Sequence, residues 1–162
     1  MKALLTAVAL MGMAYGWQSV NAGQMSASFV ESGWWRLASV DRLTDASGRG
    51  YGSTNRVALF SIELVSTGNF TNKLNVTAAD AATRTAEKLP GGMKITYSGF
   101  RDLLERVVCT VRTASDGKLR WGIAVTPKNG FAATAVNYPQ VMLEPRLGRT
   151  GADDALVHGG RL

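Results

Sequence analysis

The chain reads as an all-β protein, a single antiparallel β-sandwich of jelly-roll-like type with an apolar N-terminal segment. Three observations carry that reading. Glycine is abundant (18 residues) while charged residues make up only 19%, the composition of many strands joined by many turns. Apolar residues recur at every second position in several short runs, the period of a half-buried strand. The single cysteine, Cys109, excludes an intrachain disulfide framework, so the fold must rest on an ordinary apolar core. At 162 residues one domain is expected, with about two-thirds of its surface buried. The boundaries read as 1–27 for the apolar segment and linker, 28–146 for the sandwich, and 147–162 for a flexible tail.

The clearest local pattern is Arg106 to Thr126. Val107, Cys109 and Val111 take one face of a first strand, and Leu119, Trp121, Ile123 and Val125 one face of a second. A two-residue Asp116-Gly117 turn would set Arg112 against Trp121. A three-residue loop, Ser115-Asp116-Gly117, instead pairs Val111 with Trp121, Cys109 with Ile123 and Val107 with Val125. Because a slip of one residue flips every side chain, apolar matching selects the longer loop, with Gly117 left-handed in a bulged hairpin.

Met1 to Ala22 has the layout of a secretory signal: Lys2, an apolar run from Ala3 to Trp17, and small-residue spacing at Val20-Asn21-Ala22 before Gly23. If retained, the same segment is an apolar helix of marginal spanning length, with a Gly12-to-Gly16 spacing suited to helix packing. Gly23 to Ser32 reads as a linker. Gly33-Trp34-Trp35-Arg36-Leu37-Ala38-Ser39-Val40 reads as the first strand, on which adjacent tryptophans point to opposite faces. One enters the core, and the other covers an edge or meets a partner. Asp41 to Asn55, with Gly48, Arg49, Gly50, Tyr51 and Gly52, reads as a long surface loop. It lacks the following helix that a phosphate-cradling loop requires.

Arg56 to Ser66 reads as a strand with Ala58, Phe60, Ile62 and Leu64 inward. After a turn at Thr67-Gly68-Asn69, Phe70 to Ala78 follows with Phe70, Leu74 and Val76 inward. Asn69-Phe70-Thr71 and Asn75-Val76-Thr77 match glycosylation sequons by pattern alone. Thr77 to Leu89 predicts a helical turn with a Thr77–Asp80 capping box, or an irregular edge strand, stopped by Pro90-Gly91-Gly92. Met93, Ile95 and Tyr97 mark the next strand. Beyond the hairpin, Pro127 to Gly130 turns the chain into Phe131–Tyr138, and Val141 to Glu144 forms a short last strand.

Chemistry is hard to assemble from these residues. One His and one Cys are too few for a metal site, and His158 falls in the tail, away from any serine or Cys109. Asp102 with Glu105, and Glu63, read as solvated positions rather than a paired-carboxylate site. The formal charge of +6 is scattered, with basic residues interleaved with acids, which does not describe a nucleic-acid track. The expectation is a protein without enzyme activity, cofactor or metal, and not a nucleic-acid binder.

The order Gly33-Trp34-Trp35-Arg36, then a glycine-rich loop, then Arg56 to Ser66, then Arg106-Val107-Val108 before Asp116-Gly117, resembles small β-sandwich domains of bacteriophage tail fibres and related virion appendages, over about residues 33–126. The resemblance implies a homotrimeric structural component of the virion (tail fibre, spike or head decoration). It would contact other virion proteins and a host-surface glycan or protein. Trp34, Trp35, Arg49 and Tyr51 would be the contact residues, since planar aromatics and guanidinium groups suit sugar rings and acidic glycans. The alternative is an exported bacterial adhesin or carbohydrate- or protein-binding module, periplasmic or extracellular once residues 1–22 are removed. Membrane attachment follows only if those residues stay as an anchor.

Overall fold

A computed structural model describes residues 19–52 and 55–143. The expectations for the leader before Ser19, for the tail and for His158 lie outside them. The described chain is all-β: β1 Ser19–Ala22, β2 Met25–Phe29, β3 Val40–Asp45, β4 Ser61–Ser66, β5 Asn69–Thr77, a single 3-10 turn Ala78–Asp80, β6 Thr83–Leu89, β7 Gly92–Ser98, β8 Leu104–Thr113, β9 Leu119–Pro127 and β10 Phe131–Asn137. They form three antiparallel sheets, ordered β1-β2-β3, β10-β4-β5 and β6-β7-β8-β9. Together these make a β-sandwich around one core.

That core is built from the alternating inward residues of all three sheets. Val20 and Phe29 come from the first, Ile62, Leu64 and Val76 from the second, and Met93, Ile95, Tyr97, Val107, Cys109 and Val111 from the third. Phe60 meets Tyr97 edge-on at 5.0 Å between ring centroids, a favoured aromatic geometry. Burying each large side chain contributes roughly 1.5–3 kcal/mol.

The β8–β9 hairpin has the register that apolar matching selects. Val111 pairs with Trp121, Cys109 with Ile123 and Val107 with Val125, and Ala114 closes the three-residue loop on Lys118 at 2.8 Å. Gly117 has φ +75°, the left-handed value that the bulged turn requires. Met93, Ile95 and Tyr97 of β7 are buried as expected. The helical turn with its capping box is present in 77–89, and the edge strand that follows it is regular, with seven consecutive pairs to β7. Asp80 Oδ2 accepts from the Thr77 backbone N–H and hydroxyl at 2.7 Å, and β6 follows as an edge strand.

Several elements differ from expectation. Gly33 to Ser39 is a sequence of turns and not a strand. Arg36 N–H donates to Gly33 O and Ala38 N–H to Trp35 O, so local hydrogen bonds use the groups a ladder would need. Strand structure begins at Val40 and runs through Asp45, inside the expected loop. Gly23 to Ser32 contains β2 instead of a linker. Across β1 and β2 the buried positions are Val20, Ala22, Ala27 and Phe29, and two of these four are alanine, which weakens the apolar period. β4 starts only at Ser61; Ala58, Leu59 and Phe60 before it are buried, and the Leu59 N–H donates to Ala38 O while its carbonyl accepts from the Gln140 N–H, so its backbone groups are used outside a ladder. In β5 only Val76 is inward as expected. Phe70 is 67% exposed and Leu74 40% exposed; in this edge strand burial begins only at Val76. Residues 141–143 hold a single bridge, Leu143 to Gly52, in place of a strand.

A candidate binding groove

The turns from Gly33 to Ser39 are held by an unusual backbone. Leu37, fully buried, has φ +58°, a conformation that costs a branched residue about 1–2 kcal/mol. It persists because its backbone is tied on both sides. Its N–H donates to Val30 O at 2.8 Å, and its carbonyl accepts from the Tyr97 hydroxyl at 2.6 Å. Fixing Leu37 fixes the residues before it. Trp35 packs partly buried on the core, while Trp34 stands 70% exposed. One tryptophan is in and one out, through a turn and not through a pleat.

Arg84 of β6 secures Trp34. Its Nη1 donates to the Trp34 carbonyl at 2.6 Å and to that of Arg36 at 3.4 Å, and its Nη2 donates to the Ala79 carbonyl. Its guanidinium carbon lies 5.8 Å from the centroid of the Trp34 ring, within cation–π range. Arg36 Nη1 in turn donates to the Arg84 carbonyl at 3.1 Å. The two arginines thus clamp turn and strand to each other. Burial lowers the Arg84 pKa, opposed by Tyr97 and Asp80. Among the described residues its buried Nε has no hydrogen-bond partner.

On this clamp lies an open groove of about 700 Å³, lined among others by Trp34, Arg36, Asp80, Arg84, Gly99 and Arg101. Gly99 has φ +77°, and a Cβ there would meet the Ala82 Cβ at 2.7 Å, so only glycine fits. Arg101 has φ +56°, which in a residue other than glycine points to a backbone held by its surroundings.

Arg49 and Tyr51 are not among the groove residues. They belong to a loop closed on Asp45. Asp45 Oδ1 accepts from the Ser47 N–H and hydroxyl and from the Arg49 N–H at 2.6–3.0 Å. Its Oδ2 accepts from the Tyr51 hydroxyl at 2.7 Å. These bonds, with that from the Ser47 hydroxyl foremost, lower the Asp45 pKa from 3.8 to about 2. Arg49 lies over the Tyr51 ring at 5.5 Å. Asp45 thus engages the Arg49 backbone N–H and the Tyr51 hydroxyl, while the Arg49 side chain is exposed over the Tyr51 ring.

Other candidate chemistry is dispersed. Cys109 is fully buried, and burial pushes its thiol up to about 12. Asp102 pairs with Lys128 at 3.2 Å, and Glu63 with Lys73 at 3.1 Å. Among the described residues no three His, Cys, Asp or Glu side chains group as metal ligands. A second concavity of about 440 Å³ lies between the β1–β2 turn and the β8–β9 turn, bordered by Met25, Leu43, Lys118 and Trp121.

Comparison of the chain with known protein families, curated proteins and solved structures yields no match.

Sequence reasoning found Trp34 but missed its neighbours. Arg84 and Arg101 lie 50 and 67 residues further on, with no spacing that links them to a tryptophan. The only local signal was Arg36 in the Gly-Trp-Trp-Arg run.

Proposed function

We propose that this protein is a non-enzymatic attachment module that binds a surface glycan through Trp34, and that it serves as an appendage component of a phage virion. The single observation that supports glycan binding is the exposed Trp34 ring, 70% accessible yet anchored by Arg84. An exposed indole already fixed in position offers a sugar a flat apolar face at little ordering cost. The virion assignment and the homotrimer rest on the sequence resemblance of residues 33–126.

The test is binding of the full chain to an array of surface oligosaccharides. Wild type is expected to bind, Trp34→Ala to lose at least tenfold in affinity, and Arg49→Ala or Tyr51→Ala to change it less than twofold. Binding that survives Trp34→Ala would overturn the assignment. For the assembly, a native mass near three times the 17.3 kDa chain is expected, and a monomeric mass at micromolar concentration contradicts the trimer.

A further inference from the structure

Resting on the glycan reading of Trp34, we propose that the groove selects a sugar carrying a carboxylate, such as a uronic acid. The ring would stack on Trp34 and the oxyanion would meet Arg36 and Arg101. Among the described residues, three guanidinium groups and one carboxylate line the groove, Arg36, Arg84 and Arg101 against Asp80, so 3 − 1 gives them a net charge of +2. The Asp80 oxygen nearest the turn is engaged by Thr77. Among the described residues none of the three arginines has an ion-pair partner. The neighbouring Asp102 is drawn to Lys128.

The arginines divide the work. Arg84 spends its Nη donors on the carbonyls of Trp34, Arg36 and Ala79, so it positions the indole and contributes charge. Arg36 uses one Nη1 contact to Arg84 and is otherwise exposed, while Arg101 is exposed on its left-handed turn. These two keep free donors in the fork geometry that matches a carboxylate. A single-stranded nucleic acid is the competing anion. Such ligands are tracked by successive stacking aromatics along a basic channel, whereas this groove offers one indole. A sugar needs only one stacking face.

The experiment is calorimetric titration of the full chain at low salt with three probes: an oligogalacturonate, the same oligosaccharide with its carboxyl groups reduced to alcohols, and an oligothymidylate of equal charge. The oligogalacturonate is expected to bind about tenfold or more tightly than the reduced form, as the loss of one charge-assisted contact implies. That gap should shrink as salt is raised. Arg101→Gly removes the guanidinium and suits the positive φ, so it keeps the turn. It should weaken the acidic sugar about tenfold and leave the reduced sugar unchanged. Arg36→Gln should act in the same direction.

Equal affinity for the acidic and reduced sugars overturns the charge preference while sustaining glycan binding. Tighter binding of the oligothymidylate overturns the ligand class. No binding of either sugar overturns the inference, and the array experiment with Trp34→Ala then decides the attachment reading by itself.

Discussion

Tyr97 and Leu37 hold one another in place. The Tyr97 hydroxyl satisfies a carbonyl on a fully buried residue, and an unsatisfied buried acceptor costs about 1–3 kcal/mol. Tyr97→Phe should therefore destabilise the protein by about that amount in denaturant unfolding, and a loss under 0.5 kcal/mol would show that the bond contributes little. Burial also raises the Tyr97 pKa well above its usual 10. A raised folded-state value stabilises fully below pH 10, and that stability is lost as pH rises through the folded value. Tyr97→Phe should accordingly flatten part of the alkaline unfolding curve. Asp45 works in the opposite sense. Its lowered pKa favours the closed loop above 3.8, and the preference disappears as pH falls towards about 2. The protection of the Arg49 amide relative to its intrinsic exchange rate should fall across that window in wild type and show no such step in Asp45→Asn. Of these details the sequence exposes only part. Tyr97 is legible as inward from its alternation with Met93 and Ile95. The left-handed Leu37 is not, because leucine carries no turn signal and its backbone is held by Val30, seven residues earlier, and by Tyr97, sixty residues later.

Hairpins divide between legible and hidden for a physical reason. β8–β9 declares itself because Val, Ile, Trp and a Gly turn fix its register unambiguously. β1–β2 pairs just as regularly, from Ser19 with Ser28 to Ala22 with Met25, but half of its buried residues are alanine, in a stretch resembling a leader's end. The consequence is testable. Val20 and Ala22 are buried, and Thr113 Oγ1 donates to the Asn21 carbonyl at 2.7 Å. A chain beginning at Gly23 should be less stable than one beginning at Ser19 by about 2–4 kcal/mol. Equal thermal stability of the two would show that β1 is dispensable. β5 gives the reverse case. Alternation put Phe70 inward, but an edge position leaves it exposed, so Phe70→Ser should change stability by less than about 0.5 kcal/mol in denaturant unfolding. A loss several times larger would mean that Phe70 is covered.

A groove exists here only because the whole sandwich assembles. The turns after β2 supply Trp34 and Arg36, β6 supplies Arg84, and the connection from β7 to β8 supplies Gly99 and Arg101. The chain's charge of +6 looks scattered when read along the sequence, yet folding places Arg36, Arg84 and Arg101 along the groove that Trp34 also lines. The all-β class, the β8–β9 hairpin and one exposed tryptophan were therefore legible, while the arginines that line the groove beside Trp34 were not, since no local period encodes a contact between distant elements.

Whether Trp34 meets the ligand can be observed directly in the nitrogen–proton NMR spectrum of the full chain during titration with an oligogalacturonate. The indole N–H of Trp34 and the backbone amides of Arg36 and Arg101 should shift progressively, with those of Ser47 to Tyr51 unmoved. Saturable shifts confined to the Asp45–Tyr51 loop, with Trp34 silent, would contradict the groove as the binding site.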